Sequence, residues 1–197
     1  MAQSPEISAK GFGDAELQLV IFKIQTEEFG VEINAVQEII RMVNITEIPR
    51  SPPYVKGLIN LRGHIVVVIS LSTIMRVQSR ELDANTRIIV ADVGGTVMGF
   101  IVDSVSEVIR LPSKSIEPTP SIITNKIRSE YIKGVGKINE RLLILLNLNN
   151  MLSSEELIHI QNMSSEIAEA AALGIAFGGA PVTMFYNSIR SKLDGGG

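Results

Sequence analysis

Histidine is the side chain best suited to proton transfer or metal ligation near neutral pH, and this 197-residue chain has two, His64 and His159. They fall on a predicted turn and a predicted helix in unrelated segments. Neither has the spacing of a metal pair, and both read as solvated. Cysteine is absent, which removes disulfides, thiolate ligands and thiol nucleophiles and fits a reducing compartment. No serine stands in a G-x-S-x-G elbow. Gly94-Gly95 is followed by neither Lys-Ser/Thr nor a helix start, so it is no phosphate loop. Asp92 and Asp103 flank strands as an imaginable carboxylate pair, but Asn34 takes the place of Asp103 in an internal repeat, which points to a turn cap. No catalytic constellation emerges, and the chain reads as a non-enzyme without metal or cofactor.

Composition bounds the remaining choices. Hydrophobic residues make up 45% and charged residues 20%, a folded and soluble balance. With no Trp, three Tyr and six Phe, the core must come from Ile, Val and Leu, whose branching favours strands. A net charge of −3 gives no footprint for nucleic acid or an anionic membrane. The start lacks the pattern of a signal peptide, and no apolar run reaches the roughly 20 residues a membrane helix needs. The expected location is the cytoplasm.

The strands that would position any site are legible. Residues 1–16 read as a polar, mobile arm. Leu17–Ile24 and Phe29–Ile33 form a predicted hairpin, followed by a short helical turn with Asn34 as its cap and an extended Ile39–Val43. Three prolines between Pro49 and Pro53 mark a loop. Lys56–Leu61 and Ile65–Ile69 form a long hairpin that reverses at Arg62-Gly63, and the unbroken Val/Ile run marks a strand covered on both faces. After a polar connector, Arg87–Ala91 and Val97–Val102 form another hairpin around Gly94-Gly95, a favoured type I′ pair.

The chain repeats itself. Residues 30–41 lie over residues 99–110 at an offset of 69, with five of twelve positions identical. Tyr54-Val-Lys-Gly57 lies over Tyr131-Ile-Lys-Gly134 at an offset of 77, and the extra residues fall in the 112–125 loop, where insertions cost little. Two β units of about five strands each follow, at about 17–75 and 87–152 with strands open to exchange, and they suggest paired small barrels. Ser153 to Glu156 has the spacing of a capping box and opens a helix to 173, with Leu157, Ile160, Met163, Ile167 and Leu173 on one face. Residues 174–197 are unassigned, and their triple-Gly end reads as a linker.

The repeat also separates fold from function. Gly30/Gly99, Gly57/Gly134, Tyr54/Tyr131, Lys56/Lys133, Glu38/Glu107 and Arg41/Arg110 recur, and so serve both units. Arg62-Gly63 lies over Asn139-Glu140, a reversal of charge at the hairpin tip that suits a protein meeting two different partners.

At these residues the chain resembles the CheW family of chemotaxis coupling proteins, from Leu17 to about Ala170. The residues that carry the resemblance are Phe29-Gly-Val-Glu-Ile through Val36-Gln-Glu-Ile, Tyr54-Val-Lys-Gly-Leu-Ile-Asn-Leu-Arg-Gly and Gly99-Phe-Ile-Val-Asp-Ser-Val-Ser-Glu-Val. The resemblance implies a mainly β fold of two intertwined five-stranded SH3-like barrels with short helices and a C-terminal helix. It implies a non-catalytic adaptor, monomeric alone and recruited to membrane-associated arrays, that bridges chemoreceptor tips to the regulatory domain of the histidine kinase CheA. The receptor tip would dock in a groove between the barrels near Val36, Glu38, Arg62 and Gly63. The kinase would meet apolar strand surface around Gly99, Phe100, Ile101, Val102, Tyr131 and Gly134. The sequence departs from the family pattern at Val67, where Pro is common, and at Ser70, where Asp is common. The competing reading is a β-barrel module for an oligonucleotide or small ligand, which calls for basic and aromatic strand faces where these are aliphatic.

Overall fold

The computed structural model describes residues 15–48 and 50–172. The expected N-terminal arm (apart from Ala15 and Glu16), Leu173 and the 174–197 tail lie outside the described residues. The strands are β1 (Glu16–Ile24), β2 (Glu27–Glu32), β3 (Val36–Arg41), β4 (Val55–Leu61), β5 (His64–Ser70), β6 (Arg87–Val93), β7 (Thr96–Val102), β8 (Ser104–Pro112), β9 (Ile116–Glu117), β10 (Ile132–Ile138) and β11 (Arg141–Leu146). Among the described residues the α-helices are α1 (Leu71–Ile74), α2 (Ser121–Thr124) and the long α3 (Ser154–Ala172), which follows the last strand.

The strands form two sheets, one of six in the order β8-β1-β2-β11-β10-β9 and one of five in the order β3-β6-β7-β5-β4. The fold is mainly β, two intertwined SH3-like barrels with a C-terminal helix. The barrels are not the two halves of the repeat, because the halves exchange their first hairpins. β1-β2 joins the strands of the second half, and β6-β7 joins those of the first. The exchanged hairpins are held by antiparallel β1–β8 and β3–β6 pairings and by two parallel pairings, Val67 with Met98 and Ile144 with Phe29. The two parallel pairings are repeat equivalents, since Phe29 plus 69 is Met98 and Val67 plus 77 is Ile144.

Exchange explains the core. The largest apolar cluster runs through both sheets, from Phe22 and Phe29 to Ile69, Phe100 and Leu146, and α3 adds Ile160, Met163 and Ile167. Each barrel keeps a smaller interior of its own, Leu19, Ile21, Leu143 and Leu145 in one and Ile59, Val68, Ile88 and Val90 in the other. Neither barrel could be removed without exposing the shared cluster.

Local chemistry sets the corners. Arg62 and Gly63 both have positive φ, +53° and +88°, the type I′ geometry of a two-residue hairpin, and the Gly63 N–H donates to Asn60 Oδ1 at 2.8 Å. The β3 approach differs from the sequence expectation. Its single 3₁₀ turn spans Ile33–Ala35 without a side-chain cap, and Val36 already begins the strand. Asp103 does not cap its own turn either; its Oδ2 accepts the Gln25 N–H at 2.6 Å, pinning the β1-β2 turn. Val67 continues β5 smoothly, and Ser70 caps α1 by accepting the Thr73 N–H, a job Ser performs as well as Asp. At α3, the Ser153 N–H donates to Glu156 Oε2 and the Glu156 N–H donates to Ser153 Oγ, a closed capping box.

Candidate functional site

The β4-β5 hairpin carries Arg62 out to its tip, and the exposed guanidinium reaches back across the sheet. Its Nη2 donates to Glu38 Oε2 at 2.9 Å, joining β4's end to β3. The Arg62 side chain is 78% exposed against 25% for Glu38, so the pair stands at the surface with most of the guanidinium donors turned to solvent. An exposed ion pair of this kind contributes about 0–1 kcal/mol to the fold. The contact fixes the direction in which the guanidinium points.

Beside this pair runs a groove of about 550 Å³. One rim holds Glu38, Arg62 and His64; Leu61, Ile65, Val66 and Val97 supply apolar floor; Gln161, Ser164 and Ser165 of α3 make the other rim. The groove therefore lies between the five-stranded barrel and α3. Among the described residues, its lining contains no Phe, Tyr or Trp on which a base could stack. Among the described residues no group of three or more His, Asp or Glu is placed to hold a metal ion.

The expected receptor-facing residues divide. Glu38 and Arg62 are brought together, and Gly63 follows on the same exposed tip. Val36 is half-buried against the shared core and does not line the groove. The α3 side of the groove was missed by sequence reasoning. The helical period identifies the face that α3 buries, but nothing in it says which strands the next face overlooks.

The expected kinase-facing residues are mostly interior. β7 lies between β6 and β5, so Phe100 and Val102 are each 1% exposed, and a Cβ on buried Gly99 would sit 2.7 Å from Ile88 Cγ2. Tyr131 is buried in the shared core, and Gly134 is covered by β9, where a Cβ would meet Ile116 Cγ2 at 2.4 Å. Of the six, Ile101 is half-buried and reaches a second pocket, which Lys56, Ser70 and Arg80 also line. An unbroken apolar strand is a core strand, and five of these six residues lie in the interior. The six-stranded barrel instead exposes Val108 and Leu142.

The reversed charge expected at the second tip is also corrected. Asn139 and Glu140 form that turn, but Arg141 follows immediately, and it donates to Glu107 at 3.1 Å and to Glu28 at 3.0 Å. Both barrels thus set an arginine against the repeat-equivalent glutamate, Glu38 or Glu107. The guanidinium of Arg141 binds its proton more tightly than usual because of its hydrogen bond to Glu107 and the charge of Glu28.

Comparison with known proteins decides the family. Residues 18–156 match the CheW-like domain family. The chain belongs to the CheW family. It is 38% identical over 147 residues to the chemotaxis protein CheW of Klebsiella aerogenes, covering 75% of this chain and 88% of that one. It is 35% identical over 149 residues to CheW of Rhizobium meliloti, covering 76% and 96%. Among solved structures, the scaffolding protein TtCheW of Thermoanaerobacter tengcongensis superposes with a TM-score of 0.66 at 32% identity, over 72% of this chain and 91% of that one. Among the described residues of this CheW-family chain, no helix is long and apolar enough to cross a membrane.

Proposed function

We propose that this CheW-family scaffold couples chemoreceptors to the histidine kinase CheA without catalysing a reaction of its own. The observation that carries the reading is the oriented Arg62–Glu38 pair beside an apolar-floored groove. A receptor tip is helical, and a helix can lay an apolar ridge on Leu61, Ile65 and Val97 while offering a carboxylate or amide to Arg62. Desolvated apolar contacts then set the lifetime of the complex, and the charged rim sets its on-rate and specificity. The kinase regulatory domain meets the six-stranded barrel near exposed Val108 and Leu142. The chain acts in the cytoplasm and joins membrane-associated arrays through its partners.

Co-sedimentation with receptor-bearing membranes and CheA, scored by kinase activity, tests this. The chain should pellet with the membranes, bring CheA with it and raise kinase activity. Pelleting without recruitment of CheA, or no pelleting, would overturn the coupling role.

A further inference from the structure

We propose that α3 is the specificity wall of the groove, with Gln161, Ser164 and Ser165 selecting receptor helices by what they present toward it. The inference rests on the reading that this groove takes the receptor tip. The family-domain match ends at residue 156, whereas α3 continues to Ala172, so this rim lies beyond that domain match.

The wall is held firmly. Ile160, Met163 and Ile167 are buried in the shared core, which fixes the rotation of α3 about its axis. Gln161 Nε2 donates to Thr96 Oγ1 at 2.7 Å, tying the helix to the start of β7. Leu157 packs at the Gly94 corner, where a Cβ would lie 3.0 Å from its Cδ2. A docking helix therefore meets a preformed surface and pays little to order it.

The two rims differ in chemistry. The strand-borne rim carries Glu38, Arg62 and His64, while the α3 rim carries one amide and two small hydroxyls. Serine side chains keep that rim low, so a second helix can approach to the roughly 8–10 Å interaxial distance of packed helices. Hydroxyl and amide groups accept and donate, and they complement Ser, Asn, Gln or Ala on the facing helix. A bulky or charged residue there would collide with the wall or lose its water without a partner. The selected partner is an amphipathic helix with an acidic or amide side toward Arg62 and a small or neutral polar side toward α3.

The test is binding of a soluble chemoreceptor-tip helical hairpin and, separately, of the CheA regulatory domain to the full chain. Ser164→Phe should weaken the hairpin at least tenfold, leave the kinase domain within twofold and preserve the melting temperature. Ser165→Arg, at an exposed position, serves if Ser164→Phe melts early. An alanine scan of the hairpin should show at least one position that costs affinity for the wild-type chain but not for Ser164→Phe. Unchanged hairpin affinity in both α3 variants, equal loss of both partners, or an identical alanine ranking would overturn the inference. Arg62→Glu run alongside separates the two readings. If it alone weakens the hairpin, α3 is no specificity wall and the groove stands; if no variant does, the groove itself is the wrong site.

Discussion

The two hairpin tips hold their arginines differently. Arg62 follows β4, touches one carboxylate and leaves its guanidinium largely in water. Arg141 opens β11, sits between Glu28 and Glu107, and is 48% exposed. The first arginine has hydrogen-bonding capacity left for a partner. The second closes a network that joins β2, β8 and β11 within the chain. Residue type alone does not distinguish the tips, since each sets an Arg against a Glu; they differ in how many partners each arginine already has.

The largest effect that sharpens the contrast between the halves involves the paired glycines. Gly57 has φ +141° and a Cβ there would lie 2.1 Å from the Thr46 carbonyl oxygen. Backbone cannot yield as a side chain can, so Gly57→Ala should destabilise by about 2–4 kcal/mol. Gly134→Ala meets a side-chain methyl of Ile116 first and should cost about 1–2 kcal/mol. Urea melts of both variants check the order, and equal costs would show that the barrels are equally tight there.

Replacing Arg62 by Gly comes next. It relieves a non-Gly residue at φ +53° while removing the Glu38 pair, so stability should stay within about 0.5 kcal/mol of the parent. Receptor-tip affinity should nevertheless fall about tenfold, measured by titration calorimetry. A variant that melts early but binds normally would make Arg62 a structural residue.

The smallest effect separates the repeat-equivalent tyrosines. Burial, helped by the charge and hydrogen bonding of Glu156, pushes the Tyr54 phenol up to about 12. Tyr131 instead has its hydroxyl bonded to Arg128 at 3.1 Å. Tyr54 is protonated in both folded and unfolded chains below pH 10, so it contributes no pH dependence at neutrality. Between about 10 and 12 the unfolded chain loses the proton and the folded one keeps it, so stability falls as pH rises. Tyr54→Phe should flatten part of that alkaline decline in melting temperature, and an unchanged decline would assign it to other groups.

Much of this was legible in the sequence because the signals are local. The unbroken Ile65–Ile69 run gives β5 by its branching, Gly94-Gly95 and Arg62-Gly63 give their turns, and Ser153 with Glu156 gives the start of α3. Partners distant in sequence were not legible. Periodicity marks β2 and β7 as strands without saying that each crosses to the other half. It marks Phe100 and Val102 as apolar without distinguishing a central strand from a docking face. The Arg141 pairs join residues 34 and 113 positions apart, which no local pattern encodes. The resemblance drew attention to Glu38 and Arg62, but the helix that faces them across the groove emerged only from packing.

The most direct measurement compares Arg62→Glu with Arg141→Glu for binding to a receptor-tip hairpin, with a thermal melt of each. Arg62→Glu should lose at least tenfold in affinity, about 1.4 kcal/mol, and melt like the parent. Arg141→Glu should melt earlier, through repulsion with Glu28 and Glu107, and its folded fraction should bind the hairpin normally. Equal loss of binding in the two variants, or normal binding by Arg62→Glu, would contradict the assignment of the first tip to the partner and the second to the fold.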